Sequence, residues 1–171
     1  MRNLFSKAAV IAIVAGAATL GVVASPNAMA ASKSATFDVT LTVQDDCSIA
    51  ANPLNFGSTG VISNNLDQTT TLSVTCTKGT AYSVALDAGT ANGSTVADRK
   101  MSNAAGDASV GFNLYRDTAR TQVWGNTVDS DTVAGTGDGS SQSITVYGRV
   151  PSQDTPAAGT YSSTITATLV F

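Results

Sequence analysis

The chain has 171 residues, with nine Lys and Arg, twelve acidic residues that are all Asp, and no His, so its formal net charge is −3 at pH 7. An acidic chain without a basic cluster is poorly suited to nucleic acid or to an anionic membrane surface, and we expect neither as a partner. The missing histidine removes the commonest general base and the commonest metal ligand. The sequence therefore predicts no enzyme, no cofactor, and no catalytic or metal-binding residues.

Residues 1–30 have the order of features that is typical of a secretory signal peptide. Two basic residues occur within the first seven, an apolar run follows at residues 8–23, and Ala28-Met29-Ala30 forms a small-x-small site. A membrane anchor is the alternative, but it needs about 20 apolar residues, more than this run contains. We expect cleavage between Ala30 and Ala31 and export to the periplasm. The mature chain, residues 31–171, then has a formal net charge of −5.

The first predicted strand, residues 34–43, follows this cleavage site closely and lies within an N-terminal segment, residues 31–45. It alternates strictly between apolar and polar residues, and the apolar face consists of Ala35 and the larger Phe37, Val39, Leu41 and Val43. One interpretation is an ordinary edge strand of its own domain. The other is a donor strand for another copy, because the segment has no Lys or Pro to blunt a free edge and only one charge, Asp38.

Two cysteines, Cys47 and Cys76, both lie in the part expected to be exported. An even number of cysteines in an oxidising compartment indicates one disulfide, here closing a loop of about 30 residues worth roughly 3–4 kcal/mol. A zinc site is disfavoured because two cysteines without histidine cannot complete its tetrahedral ligand set.

Residues 46–171 form the predicted domain, in which period-two alternation recurs between clusters of Asn, Gly and Pro. We expect strands at residues 70–76, 82–86 and 144–148, and a long final strand at residues 161–171. Short strands with such spacing predict one all-β sandwich. The residues assigned to the inner face of the final strand are Tyr161, Ile165, Ala167, Leu169 and Phe171.

Five short motifs along the mature chain are similar to those of one known family. Residues 112–117 read Phe-Asn-Leu-Tyr-Arg-Asp, residues 120–127 read Arg-Thr-Gln-Val-Trp-Gly-Asn-Thr, and residues 147–151 read Tyr-Gly-Arg-Val-Pro. Residues 54–57, Leu-Asn-Phe-Gly, shortly after Cys47, and residues 159–162, Gly-Thr-Tyr-Ser, extend the likeness over the whole mature chain. The chain thus resembles the spore coat protein U domain family, which includes subunits of archaic, Csu-type chaperone–usher pili.

This resemblance implies an immunoglobulin-like sandwich that lacks its last strand. A periplasmic chaperone would first fill the gap, and at an outer-membrane usher the N-terminal strand of another copy or of a sister pilin would replace it. On this chain the resemblance assigns the donor to residues 34–43, with Phe37, Val39, Leu41 and Val43 as plugs. The acceptor groove would be flanked by residues 161–171, and the family's disulfide maps onto Cys47 and Cys76.

Two other clusters allow different interpretations. Asp129-Ser130-Asp131 and residues 135–139 faintly resemble a calcium loop, but such a loop closes with a Glu, and a solvated turn is the better interpretation. Arg116, Asp117 and Arg120 near Trp124 suggest either a carbohydrate-binding surface or, more commonly, a structural arginine–aspartate pair beside a packed aromatic ring.

We therefore expect a structural subunit of a surface pilus that polymerises by donor-strand exchange and supports adhesion and biofilm formation. The 141 residues of the mature chain leave no space for a separate receptor-binding domain, which favours a subunit of the shaft over a tip adhesin. The alternatives are a secreted monomeric carbohydrate-binding or adhesive module and a non-pilus coat protein of the same family.

Overall fold

The computed structural model describes residues 30–171, so the predicted signal peptide lies outside the described residues apart from Ala30. The chain divides into two units, Met1–Thr40 and Leu41–Phe171. Within the described part of the first unit, residues 30–40, no strand is assigned and the side chains are exposed. No helix in residues 30–171 is long and apolar enough to cross a bilayer.

The second unit is an all-β structure with eight strands in two sheets. The larger sheet has the order β1-β2-β7-β5-β4 and the smaller has the order β6-β3-β8, and all pairings are antiparallel. The strands are β1 (Cys47–Ala51), β2 (Leu66–Cys76), β3 (Ala81–Leu86), β4 (Arg99–Ser102), β5 (Ser109–Tyr115), β6 (Val133–Thr136), β7 (Ser141–Val150) and β8 (Ala167–Val170).

The longest ladder joins β2 to β7 over ten residue pairs, from Leu66 opposite Val150 to Thr75 opposite Ser141. Alternation decides which side chains of these strands face the core. In β2 Leu72, Val74 and Cys76 are buried while the residues between them are more exposed. The predicted strands at residues 70–76, 82–86 and 144–148 are confirmed as parts of β2, β3 and β7.

The final strand is shorter than the sequence predicts. The structure assigns only β8, Ala167–Val170. Residues 163–166 form no ladder and are held by isolated hydrogen bonds with Asp87 and Thr90. The amide of Thr164 donates to Oγ1 of Thr90, and the amide of Thr166 donates to Oδ1 of Asp87. Side-chain acceptors thus replace a regular backbone ladder there, although Tyr161 and Ile165 still pack against the core as the alternation predicted.

A buried arginine stands at the centre of the core. Arg99, the first residue of β4, is fully buried and donates all five of its N–H groups. Four acceptors are backbone carbonyl oxygens and one is the Oδ1 atom of Asn113; the carbonyls belong to Asp87, Val96, Leu86 and Trp124. Burial lowers the pKa of Arg99 to about 10, so the guanidinium stays charged at neutral pH.

Candidate functional site

Two strand edges of the sandwich are unpaired on the same side. Among residues 30–171, β1 pairs only with β2 and β8 pairs only with β3, and β1 lies beside β8. An unpaired edge presents a row of backbone N–H and C=O groups to solvent. The two edges lie next to each other, and the segments that continue them, after β1 and before β8, enclose a gap between the sheets.

The first half of this gap is a cavity of about 450 Å³ between the chain that follows β1 and the chain that precedes β8. Residues 51–54 form one wall and residues 163–165 form the other. Its floor is made of core side chains from both sheets: Leu72, Leu86, Phe112, Leu114 and Val146. A strand laid in this cavity would place alternate side chains directly on the hydrophobic core.

The second half is a wider cavity of about 610 Å³. Its walls are residues 54–60 and residues 155–161, and Ile62, Leu66, Val110 and Val150 lie beneath them. Leu54, Phe56 and Met101 line both cavities, so the two form one continuous groove.

The wall at Leu54 and Phe56 depends on a close approach to β7. A β-carbon at Gly148 would lie 2.5 Å from Cδ2 of Leu54 and 3.0 Å from the ring of Phe56. Phe56 also meets Phe112 edge-on, with ring centroids 6.3 Å apart. Glycine at position 148 therefore allows both side chains to pack against the larger sheet and shape the groove.

The groove is uncharged, and its floor is apolar. No Asp, Lys or Arg lines either cavity, and its polar groups are hydroxyls, amides and backbone atoms. Within residues 30–171 no cluster of three or more Cys or Asp residues could hold a metal ion. The groove is suited to binding an extended apolar segment through side-chain burial and backbone hydrogen bonds.

The residues predicted to flank the acceptor groove occupy different positions along it. Tyr161 lines the wider cavity and Ile165 lines the narrower one. Ala167 and Leu169 are half-buried against the core in β8, while Phe171 is 58% exposed. The walls at residues 54–60 and 155–160 were not predicted as groove residues, although the Leu-Asn-Phe-Gly motif marked part of the first wall.

The residues predicted to be donor plugs are strongly exposed. No strand is assigned to residues 30–46, and the exposed fractions are 85% for Phe37, 83% for Val39, 88% for Leu41 and 71% for Val43. Phe37 and Val39 belong to the first unit, and Leu41 and Val43 begin the second. Their role as plugs stays a prediction.

The disulfide between Cys47 and Cys76 is confirmed. It joins the first residue of β1 to the last residue of β2, and these two residues are register partners in the β1–β2 ladder.

The cluster around Trp124 fits neither of the two interpretations, the less favoured carbohydrate surface or the preferred pairing of Asp117 with a neighbouring arginine. The indole is fully buried and its Nε1–H donates to the carbonyl of Val84, so it has no free face for a carbohydrate. Asp117 instead accepts hydrogen bonds from the amides of Thr121 and Gln122, which lower the pKa of its carboxyl group. The arginine beside Trp124 is Arg99, which the sequence did not single out.

Arg120 pairs with an aspartate elsewhere. Its Nη1 lies 3.4 Å from Oδ2 of Asp67, and its guanidinium carbon lies 5.8 Å from the centre of the Tyr147 ring. Asp67 is also bound through both oxygens by Arg149, at 2.7 Å each. This network lies across β2 and β7, on the larger sheet.

The acidic turns near residues 129–139 are closed by their own backbone. Oδ1 of Asp131 accepts from the amide of Thr127 at 2.7 Å, and Oδ1 of Asp138 accepts from the amide of Ser140 at 2.8 Å. Hydrogen bonds from Ser140 lower the pKa of Asp138. These contacts are those of aspartates that stabilise turns.

Comparison with known proteins places the chain in a family. The model of the Spore Coat Protein U domain matches residues 33–168. The chain belongs to the Spore Coat Protein U domain family. It is 35% identical to Protein U of Myxococcus xanthus over 179 aligned positions, which cover 96% of this chain and 98% of Protein U.

A solved structure shows a related fold. It is the crystal structure of the CsuC–CsuE chaperone–tip adhesion subunit pre-assembly complex from archaic chaperone–usher Csu pili of Acinetobacter baumannii. One of its chains matches with a TM-score of 0.58 and 21% identity over 76% of this chain, which spans 41% of that chain's length. With the two facing sheets, this match confirms the predicted immunoglobulin-like β-sandwich.

Proposed function

We propose that this Spore Coat Protein U domain protein is a structural subunit, specifically a shaft pilin, of a chaperone–usher surface pilus. Residues 34–43 of one copy insert into the groove of the next, and the fibre so formed supports adhesion and biofilm formation. The observation that carries the proposal is the groove between residues 51–60 and residues 155–165, which carries no charged side chain and opens onto the hydrophobic core.

The alternating segment has the chemistry that the groove requires. Ten residues in a strand span roughly 33 Å at about 3.3 Å each. Burying Phe37, Val39, Leu41 and Val43 would contribute about 1.5–3 kcal/mol each, or roughly 6–12 kcal/mol before the cost of ordering the segment. The exposure of all four side chains supports a role in which they are buried by a partner.

The proposal implies partners before assembly. A periplasmic chaperone covers the groove, and an outer-membrane usher exchanges the chaperone's strand for that of another copy or a sister pilin. This requires export of residues 31–171 through the periplasm after cleavage of residues 1–30. The fold shared with a chain of a chaperone–pilus subunit complex supports this assignment.

The experiment separates the groove from the donor. A chain limited to residues 44–171 is titrated with a peptide of residues 34–43, and binding is followed by NMR and calorimetry. We expect a 1:1 complex that shifts the resonances of Ile165 and Met101 in the groove.

Two peptide variants provide the specificity test. Leu41→Asp places a charge on the plug face and should weaken binding at least tenfold, because burying an unpaired carboxylate is costly. Thr40→Asp carries the same charge on the opposite face and should bind nearly as well as the original peptide. A full mature chain that stays monomeric and a truncated chain that ignores the peptide would together refute the proposal.

A non-pilus coat protein is the second candidate, and one observation favours it. The match to Protein U extends over nearly the whole of both chains at 35% identity, higher than the 21% identity to the Csu structure. Immunogold labelling of the producing cells distinguishes the two. Label along thin fibres supports the shaft pilin, whereas a continuous layer without fibres supports the coat protein.

A further inference from the structure

The three residues between the donor segment and β1 are fixed to the sandwich by hydrogen bonds. The hydroxyl of Thr77 accepts from the amide of Asp46 at 3.2 Å and lies within donating distance of two carbonyl oxygens, 3.2 Å from that of Gln44 and 3.3 Å from that of Asp46. The amide of Thr77 also donates to the carbonyl of Asp46 at 2.9 Å. One threonine thus holds both ends of this short connection.

A second threonine holds its middle. Oγ1 of Thr80 is buried and donates to Oδ1 of Asp45 at 2.8 Å. Thr77 and Thr80 both belong to the turn between β2 and β3. The connection from Val43 to the sandwich therefore cannot lengthen without breaking hydrogen bonds, because each of its three residues is hydrogen-bonded to this turn.

The disulfide continues this arrangement at the next residue. Cys47 opens β1, and its partner Cys76 ends β2, the strand with the ten-pair ladder to β7. β1 has only five residues and is paired on one side only among the described residues. A pull on Val43 would separate β1 from β2 pair by pair, beginning at Cys47 opposite Cys76, the pair that the disulfide joins.

We propose that residues 44–46, Thr77, Thr80 and the Cys47–Cys76 disulfide form a mechanical anchor, which passes tension on the donor segment into β2 without opening β1. This inference rests on the proposed function, because tension reaches Val43 only if residues 34–43 are held by another subunit. The disulfide then protects the weakest edge of the larger sheet where the force enters.

Single-molecule pulling tests the anchor on one chain. The oxidised mature chain, residues 31–171, is held by its two ends in optical tweezers and compared with the double variant Cys47→Ala, Cys76→Ala. We expect the oxidised chain to unfold in one step. The double variant should show an earlier, low-force lengthening of about 17 Å, the extended length of the five residues of β1.

Thr77→Val tests the hydrogen-bonded part with the disulfide intact. Release of residues 44–46 should add an early lengthening of about 10 Å, the length of three extended residues. Thr75→Val is the matched control, because Thr75 lies two residues before Thr77 near the end of β2, is exposed, and its hydroxyl makes no hydrogen bond with residues 44–46. It should leave the trace unchanged.

A variant that only lowers the overall stability of the sandwich should give a different force–extension trace from the double cysteine variant. Val110→Ala leaves a cavity in the core far along the chain from the anchor, so it should lower the unfolding force in a single step. If the double cysteine variant behaves in this way, with no early lengthening, the anchor is refuted. Should the double variant fail to fold, reductant added to the folded oxidised chain under low tension must produce the same early lengthening.

Failure of the anchor and failure of the proposed function can be told apart. The pulling experiment needs no polymer, so a chain that binds the 34–43 peptide but shows no early lengthening refutes the anchor alone. A chain that shows the early lengthening but neither polymerises nor binds the peptide refutes the pilus function, and with it the source of tension.

Discussion

At the scale of single residues, the core contains the positive charge of Arg99, which is paired with neutral oxygen atoms and not with a carboxylate. Arg99 satisfies all five N–H groups with carbonyl oxygens and one amide oxygen from four separate segments of the chain. A buried guanidinium is stable only when every donor is paired. Arg99 therefore fixes the relative positions of β3, β5 and the loop that carries Trp124.

We predict that Arg99→Lys lowers the free energy of unfolding by about 3 kcal/mol or more, despite keeping the charge. An ammonium has three donors at one point and cannot reach the five acceptors, so it leaves buried carbonyls unpaired. Urea denaturation followed by Trp124 fluorescence measures the loss. Lys100→Arg, at the partly exposed next position, should change stability by less than about 0.5 kcal/mol, and an equal loss in both variants would contradict this role of Arg99.

The ion pair on the larger sheet predicts a pH dependence. Hydrogen bonding from Arg149, helped by Arg120, lowers the pKa of Asp67. A carboxyl group with a lowered pKa in the folded state contributes stability that is present above its unfolded pKa, near 4, and is lost as the pH falls through the folded value. Because the carboxylate is about one-third exposed, its contribution is modest.

Asp67→Asn should therefore lower the free energy of unfolding by about 0.5–1 kcal/mol at pH 7, and the difference should shrink as the pH is lowered below about 4. Denaturation curves at several pH values measure it. Asp154→Asn, which removes an exposed carboxylate without an ion pair among the described residues, is the control. A difference between wild type and Asp67→Asn that stays constant with pH would contradict the explanation.

At the scale of elements, β1 is the most exposed part of the larger sheet, because it is short and one of its edges is free. The disulfide closes a loop across a separation of 29 residues, which corresponds to about 3–4 kcal/mol on the chain-entropy model.

Removing both cysteines should lower the free energy of unfolding by about 2–4 kcal/mol. Without the disulfide, β1 should separate from β2 more often. Amide exchange should therefore accelerate more in β1 than in β5, which lies inside the sheet between β7 and β4. Hydrogen exchange measured by mass spectrometry compares the two strands. Equal acceleration in β1 and β5 would show that the disulfide has no local effect on the edge.

The strands with strict alternation were predictable from the sequence, whereas the groove was only partly so. Leu72, Val74 and Cys76 face the core because β2 has one buried face. A strand of this kind has apolar residues at every second position, so its sequence predicts it directly. The same pattern at residues 161–166 predicted a strand that the structure does not contain, since alternation specifies faces but not hydrogen-bond partners. Apolar alternation at residues 34–43 likewise does not show whether the segment pairs with a sheet of its own copy or with a sheet of another copy.

Features that depend on distant segments could not be predicted. The groove walls, residues 54–60 and 155–160, are loops rich in small and polar residues, and only the folded chain brings them opposite each other. Arg99 lies in a four-residue strand without a recognisable pattern, and its acceptors come from residues 86–124. The Leu-Asn-Phe-Gly motif was the one signal in the sequence for a groove wall.

At the scale of the whole molecule, the N-terminal segment and the sandwich have complementary properties. The N-terminal segment exposes four large apolar side chains, and the sandwich has an uncharged groove that opens onto its hydrophobic core. A pairing between copies would bury both surfaces, and because every copy has both, the pairing would repeat into a fibre. The central claim is that this pairing is intermolecular.

Photo-crosslinking between isotopically distinct copies tests that claim most directly. A photoreactive amino acid replaces Leu41 in the mature chain, light and heavy copies are mixed before assembly, and crosslinked peptides are identified by mass spectrometry. The proposal predicts mixed light–heavy crosslinks from position 41 to the groove walls, residues 51–60 and 155–165. Crosslinks to the groove only within copies of the same isotope, or none to the groove at all, would contradict it.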